Sequence, residues 1–394
     1  MENTYARDKI RNVVLAGHSG SGKTTLAEAL LFKTKTTDRQ GRIEDGNTVC
    51  DFDAEEIKRK ASLSLSIAPI EVEDIKFNLL DAPGLFDFEL GLHEAMYAAE
   101  SALICVSARD GIQVGAEKAY KLAQENEMAR MIYVSKLDVE NADYYKVFEE
   151  LKLKYGPSIC PIIVPVDQAG GLIYVNLITK KAFKYVAGEP HEVPMPSIGH
   201  RLDGLQEAMC EAVVETDEAL MEKFFGGETF TSDELTEGVR LGVKTGAITP
   251  VVCGNAVKLE ALDMLLWAMR KMLPSASRGA GINATLKDGE EIEAICDETK
   301  PLLAYVFKTV ADPFVGKMSY VKVVSGTLKQ DSIVVVGRTG EVEKLGKLVM
   351  VRGKKQYDVD KICTGDIGAI TKLQTAKTGD SLCAADRVFT VKAP

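Results

Sequence analysis

The sequence has little of what metal, redox and secreted proteins depend on. Its eight cysteines stand at 50, 105, 160, 210, 253, 296, 363 and 383, never closer than 20 residues, so no C-x-x-C clip exists for zinc or dithiol exchange. Thiols scattered in apolar runs such as Ile104-Cys105-Val106 predict a reducing compartment. Only four histidines occur, at 18, 93, 191 and 200, and apart from a loose 191/200 couple none pairs at metal-ligand spacing. A zinc centre is therefore not expected. No apolar run approaches the roughly 18 residues of a membrane span, and the first eight residues are polar and charged. A cytoplasmic protein without membrane contact is the expectation.

What is present is enough apolar material for more than one core: 394 residues, 46% hydrophobic and 27% charged. At roughly 100 to 200 residues per domain, two to four domains are expected. The formal charge is −10, but it is unevenly spread. Residues 301–394 hold 15 Lys+Arg against 9 Asp+Glu, a balance of +6 that leaves −16 for the rest. A basic last quarter beside an acidic remainder predicts that any polyanion is met by the C-terminal part.

Short β-rich runs at 12–16, 75–80, 102–107, 131–134 and 250–253 alternate with helical patterns at 24–33, 116–127, 142–155 and 260–273. This is the pattern of a largely parallel sheet with helices on its faces. Between 161 and 249 the alternation stops. A hairpin-like stretch at 171–185 precedes an acidic region, 188–240, with 13 Asp+Glu and 3 Lys+Arg. The α/β domain is expected to comprise 1–160 and 250–280, with 161–249 as an inserted acidic α+β subdomain. Residues 281–300, after the turn-forming Pro274-Ser275-Ala276-Ser277, are expected as a linker. From 301 to 394 short alternating runs recur between turns such as Ser325-Gly326 and Thr364-Gly365, which predicts an antiparallel β-barrel.

Gly17-His18-Ser19-Gly20-Ser21-Gly22-Lys23-Thr24 fits G-x-x-x-x-G-K-[ST] and lies between a strand and a helical run that continues with Thr25. The glycines let backbone N–H groups turn inward around a β-phosphate at a helix N-terminus. Lys23 then meets the β- and γ-phosphates, and Thr24 offers a hydroxyl to Mg²⁺. Asp81-Ala82-Pro83-Gly84 ends a strand, where Asp81 can hold Mg²⁺ through water and the Gly84 N–H can sense a γ-phosphate. In Ser135-Lys136-Leu137-Asp138 the Asp138 carboxylate can accept from guanine N1–H and its exocyclic amine, while the Lys136 stem packs over the base. Gly254-Asn255-Ala256 follows a fourth strand and can present N–H groups to the guanine carbonyl. Four elements in order on four strand ends define a guanine-nucleotide site, with GTP/GDP and Mg²⁺ as the implied ligands.

These motifs, together with Asp87-Phe88, Ala311-Asp312-Pro313-Phe314-Val315-Gly316-Lys317 and Val324-Ser325-Gly326-Thr327-Leu328, resemble the translational GTPases, specifically elongation factor G. The likeness runs from about Ile10 to the end of the chain. It implies a P-loop GTPase domain with an insert, then the barrel, and full-length members continue into three further domains, so this chain is expected to be an N-terminal part. It also implies a ribosome partner, with the acidic insert on the stalk protein, and the +6 balance of 301–394 then predicts that the basic barrel meets ribosomal RNA through the turn-like stretch at Arg352, Lys354 and Lys355. A monomer is expected.

Several positions depart from the family pattern. Leu85 stands where the family has the histidine beside the attacking water, Gly20 replaces a P-loop aspartate, and Ser135 replaces the asparagine of N-K-x-D. In the first switch, Arg59-Lys60-Ala61-Ser62 places Ser62 at the threonine that ligates Mg²⁺. Lys23, Gly84 and Leu85 are thus the positions on which hydrolysis turns, and Thr24, Ser62 and Asp81 those on which the metal turns. A leucine cannot hydrogen-bond water, so weak hydrolysis is expected, from a divergent paralogue. His18 is read as a shape and hydrogen-bonding residue and His93 as a surface or packing one. A GTP-sensing ribosome-binding module that scarcely hydrolyses is the alternative. An ATP phosphotransferase is disfavoured by Asp138.

Overall fold

A computed structural model describes residues 4–196, 200–279, 281–312 and 316–391. In chain order come β1 (Ile10–Gly17), α1 (Lys23–Lys33), α2 (Ala54–Arg59), β2 (Ser66–Val72), β3 (Ile75–Asp81), α3 (Glu89–Ala98), β4 (Ser101–Ser107), α4 (Val114–Glu125), β5 (Ala129–Ser135), α5 (Tyr144–Tyr155) and β6 (Ile159–Pro161). An insert opening with β7 (Ile163–Gln168) comes next, and a further strand and helix follow it.

The main sheet has the order β2-β3-β1-β4-β5-β11-β6, with β11 at Thr249–Cys253. Every pair in it is parallel except β2–β3. Helices on both faces leave β3, β4, β5 and β11 wholly buried, which is why these strands read as unbroken apolar runs. Parallel pairing also brings the C-terminal ends of β1, β3, β5 and β11 to one edge, carrying the four motifs with them.

The sheet also has an antiparallel edge strand, β2, which the sequence pattern does not reveal. Pro69 interrupts its pattern, and a proline is tolerated here because β2 is an edge strand of this sheet.

The insert forms a second antiparallel sheet of β7, β8 (Gly171–Asn176), β9 (Lys181–Val186) and β10 (Glu189–Val193). Three helices follow it: α6 (His200–Val214), α7 (Glu218–Phe225) and α8 (Ser232–Thr245). The chain then returns through β11 to α9 (Leu262–Met272).

Residues 281–300, expected as a linker, instead carry β12 (Ile282–Leu286) and β13 (Glu291–Ala294). Alternating Ile282, Ala284 and Leu286 around a Lys287-Asp288-Gly289-Glu290 turn make a hairpin, and β12 also pairs with residues 389–391. Beyond it lies an antiparallel β domain opened by β14 (Leu303–Asp312) and β15 (Gly316–Ser325). It surrounds its own core of Ala304, Val306, Val321, Val323, Leu328, Val334 and Val336. The strand and turn at 348–353 sit against β2, where the Gly353 N–H donates to the Ile67 carbonyl at 2.9 Å. A barrel segment thus shields the open sheet edge.

Candidate guanine-nucleotide site

The loop between β1 and α1 is shaped by close backbone approach. Gly17 has φ +139°, and a Cβ there would lie 2.5 Å from the Cys105 carbonyl oxygen of β4. Lys23 opens α1 and is buried, and its Nζ donates to the Gly17 carbonyl at 3.1 Å and the His18 carbonyl at 2.9 Å. Burial pulls its ammonium pKa below the ordinary lysine value. Ser19 and Gly20 form the rim, with Gly20 exposed, and Ser21 is buried beneath it. Thr25 is half-buried on the first turn of α1.

Thr24 stands at the centre of a polar cluster. Its Oγ1 donates to Asp81 Oδ2 at 2.7 Å and lies 3.1 Å from Ser62 Oγ. The three residues that sequence reasoning assigned to the metal therefore converge. Asp81 Oδ1 is buried with no hydrogen-bond partner, as are both carboxylate oxygens of Asp51. Burial, reinforced by the Asp51 charge, pushes the Asp81 carboxyl up to about 7, and burial pushes Asp51 up to about 6. Two carboxylates that cannot both shed a proton cheaply, beside two hydroxyls, fit a hard divalent cation with oxygen ligands. Among the described residues there is no group of three or more His, Cys, Asp or Glu that could hold a metal ion.

Ser62 reaches Thr24 because its loop is braced. Asp53 caps α2 in a capping box with Glu56. The Glu56 carboxylate also accepts from the Leu63 and Ser64 N–H groups at 3.0 and 3.1 Å. Farther back, Glu28 of α1 accepts from the Val49 N–H at 2.6 Å. From the barrel side, Lys308 Nζ donates to Ser64 Oγ at 2.5 Å and to the Leu65 carbonyl. Sequence reasoning missed Asp51, Glu28, Glu56 and Lys308; the acidic pattern Asp51-Phe52-Asp53-Ala54-Glu55-Glu56 was the available signal for the local ones.

Gly84 lies directly on the P-loop: a Cβ there would collide with Lys23 Nζ and approach Ser19 N within 2.7 Å. Leu85 follows, half-buried and extended, before the turn Phe86–Phe88. Its aliphatic side chain brings no hydrogen-bonding atom. His18 is engaged elsewhere, its Nδ1 accepting from the Gly115 N–H at 3.3 Å and its ring lying 6.0 Å from Phe86. His93 is on the surface of α3, 3.9 Å from Glu89.

At the base end, Ser135 does not face outward. Its Oγ contacts the Ser21 carbonyl at 2.7 Å and the Val106 carbonyl at 3.2 Å, which ties the P-loop to β4 and β5. Lys136 takes a left-handed φ of +57° and Asp138 is exposed beside Leu137. The Gly254-Asn255-Ala256 loop is ordered by Asn255, whose N–H donates to Glu260 O at 3.0 Å and whose Oδ1 accepts from Val257 and Lys258. Gln40 Nε2 donates to the Ala256 carbonyl at 2.8 Å. Asp138 and Asn255 line one open cleft of about 740 Å³ between this edge and the insert.

The basic turn expected to meet RNA is only partly exposed. Arg352 is half-buried and points inward, donating to the Thr36 carbonyl at 2.8 Å and to the Tyr357 hydroxyl, so it is not free for RNA. Lys354 and Lys355 are exposed. Other basic residues of residues 301–394 also turn inward: Lys308 on Ser64 and Leu65, and Lys322 on Glu100.

Fold and site define a P-loop protein of the GTPase class. Residues 8–275 match the family described as "Elongation factor Tu GTP binding domain", and residues 301–385 match "Elongation factor G domain 2". The chain belongs to the translational GTPases of the elongation factor Tu and G type. It is similar to a crystal structure of a protein from Thermus thermophilus, at 33% identity and a TM-score of 0.84, over 96% of this chain and 54% of that one. It thus spans about half the length of the protein it matches. No helix among the described residues is long and apolar enough to cross a membrane.

Proposed function

We propose that this chain is the nucleotide-switch part of a cytoplasmic, ribosome-associated factor that binds Mg²⁺-GTP and hydrolyses it slowly. The convergence of Thr24, Ser62 and Asp81 over unpartnered carboxylate oxygens carries this reading. Bound there, Mg²⁺ would neutralise the charge of the β- and γ-phosphates. Lys23, now satisfied only by two P-loop carbonyls, exchanges them for phosphate oxygens. The Gly84 N–H reports a γ-phosphate, and Ser62 couples that report to the segment braced by Glu56 and Lys308. Asp138 and Lys136 select guanine, the Gly254-Asn255-Ala256 loop backs the base, and Ser135 stiffens the P-loop instead of reading the base.

Leu85 supports slow chemistry, because phosphoryl transfer to water depends on orienting the nucleophile. Contact with ribosomal RNA is assigned to exposed barrel lysines, among them Lys354, Lys355, Lys361 and Lys372, and contact with the stalk protein to the acidic insert at 161–249. A monomer with the GTPase domain at 1–160 and 250–280 and the barrel at 301–394 fits this division of labour. Single-turnover GTP hydrolysis with and without ribosomes tests the whole reading. Stimulation that fades as salt rises is expected, whereas ribosome-independent turnover contradicts it. GTP-dependent ribosome binding with no turnover favours a sensing module, the reading that Leu85 also permits.

A further inference from the structure

A second polar cleft lies at the opposite end of the main sheet from the nucleotide loops. At about 3.3 Å per strand residue, Arg11 near the start of β1 is roughly 20 Å from Gly17. Around a cavity of about 200 Å³, the cleft gathers Arg11, Arg240 and Lys244 from the last turns of α8, Arg270 and Lys271 from the end of α9, and Arg278. Asp8 is the only acid among its lining residues. Such a concentration stands out in a chain with a net charge of −10 whose first three hundred residues are the acidic part.

Part of this charge has a structural explanation. Cations in the last turn of a helix complement its dipole, which accounts for Lys244, Arg270 and Lys271. Arg240 is paired with Glu237 and Arg270 with Glu73. Arg11 and Arg278 belong to neither helix. Arg11 is half-buried, held by the Leu273 carbonyl at 3.0 Å and the Asp8 carbonyl at 2.8 Å, both neutral groups. Burial and the Arg278 charge pull it down to about 10, against the weaker opposing pull of the Asp8, Glu100 and Asp74 carboxylates. Among the described residues, Lys244, Lys271 and Arg278 have no carboxylate within 4 Å. Two guanidinium groups raise each other's free energy at the mouth of a small cavity, and no carboxylate among the described residues forms an ion pair with either.

We propose that this cleft is a phosphate-binding site separate from the nucleotide site. A space of about 200 Å³ is smaller than the roughly 300 Å³ at which drug-sized ligand pockets begin, so it takes one or two phosphoryl groups rather than a nucleoside. Guanidinium forks from Arg11 and Arg278 offer the planar donors that phosphate oxygens accept in pairs. The phosphate comes either from a free polyanion or from an RNA backbone.

The test uses the full chain saturated with GDP and excess Mg²⁺, so that the P-loop is filled. Inorganic pyrophosphate and a single-stranded RNA oligonucleotide are titrated separately by calorimetry against wild type, Arg278→Glu and Lys271→Glu. Both substitutions are at exposed positions and leave the core intact. Pyrophosphate binding that falls at least tenfold in each variant, with GDP affinity unchanged, supports the site with a free anion as ligand. RNA binding alone, lost in the same variants, supports it with a backbone phosphate. If neither ligand binds the GDP-loaded protein, or if both variants bind as wild type does, the site does not exist.

Discussion

Lys76 Nζ lies 2.8 Å from both carboxylate oxygens of Asp366, which joins β3 of the nucleotide-binding sheet to the β-barrel through a pair whose side chains are 6% and 3% exposed. Asn78 Nδ2 adds a bond to Asp366 at 2.9 Å and also donates to Asn12 on β1. Removing one partner of such a pair strands a charge in a site that excludes water. Lys76→Met is therefore expected to cost about 3 to 5 kcal/mol in urea denaturation, and Lys76→Met with Asp366→Leu to recover much of that loss. A single variant as stable as wild type would show that water reaches Asp366.

Lys308 makes stability depend on alkaline pH. Burial lowers its pKa to about 8, below the unfolded value near 10.4, so the unfolded chain holds this proton more tightly. The penalty for the buried charge is complete below pH 8 and fades as pH rises toward 10.4, a relative gain of up to roughly 3 kcal/mol. Lys308→Met abolishes that slope. Urea midpoints at pH 7.5 and 10 for the two proteins check it, and parallel shifts would count against the effect.

Base selection rests on Asp138. Asp138→Asn is expected to weaken GDP binding at least 100-fold and to improve binding of xanthosine diphosphate, because the amide presents a donor where guanine also presents one. Competition against labelled GDP measures both. Equal displacement of GDP by ADP from the wild-type protein overturns the assignment.

How much of this was legible in the chain depends on where the determining contacts lie. The P-loop could be read because its function is carried by eight consecutive residues whose spacing is the geometry. The strands at the sheet centre were equally plain, since burial on both faces leaves an unbroken apolar run. Asp51 and Glu56 escaped notice because their partners, Asp81 and the Leu63 and Ser64 amides, are set by how a long loop folds back on the sheet. Arg352 was misread for the same reason. A basic turn has the composition of an exposed loop, and only the docking of the barrel on β2 turns that side chain toward the Thr36 carbonyl. The linker reading of 281–300 failed although β12 and β13 pair locally, because the hairpin is short and charged and one side of it is completed only by residues 389–391, about a hundred residues away.

The rate of hydrolysis turns most directly on Leu85. Thr24, Ser62 and Asp81 are assembled, and Lys23 is at its post, so nucleotide binding should be ordinary while the attacking water lacks a positioned polar group. One such group is typically worth about 10²- to 10³-fold in rate. The decisive measurement is single-turnover hydrolysis of GTP on ribosomes by wild type and Leu85→His at matched GTP occupancy. A rise of at least tenfold in the variant, with GTP affinity unchanged, is predicted. A wild-type rate that already equals that of the variant would contradict the account and show that another group orients the water.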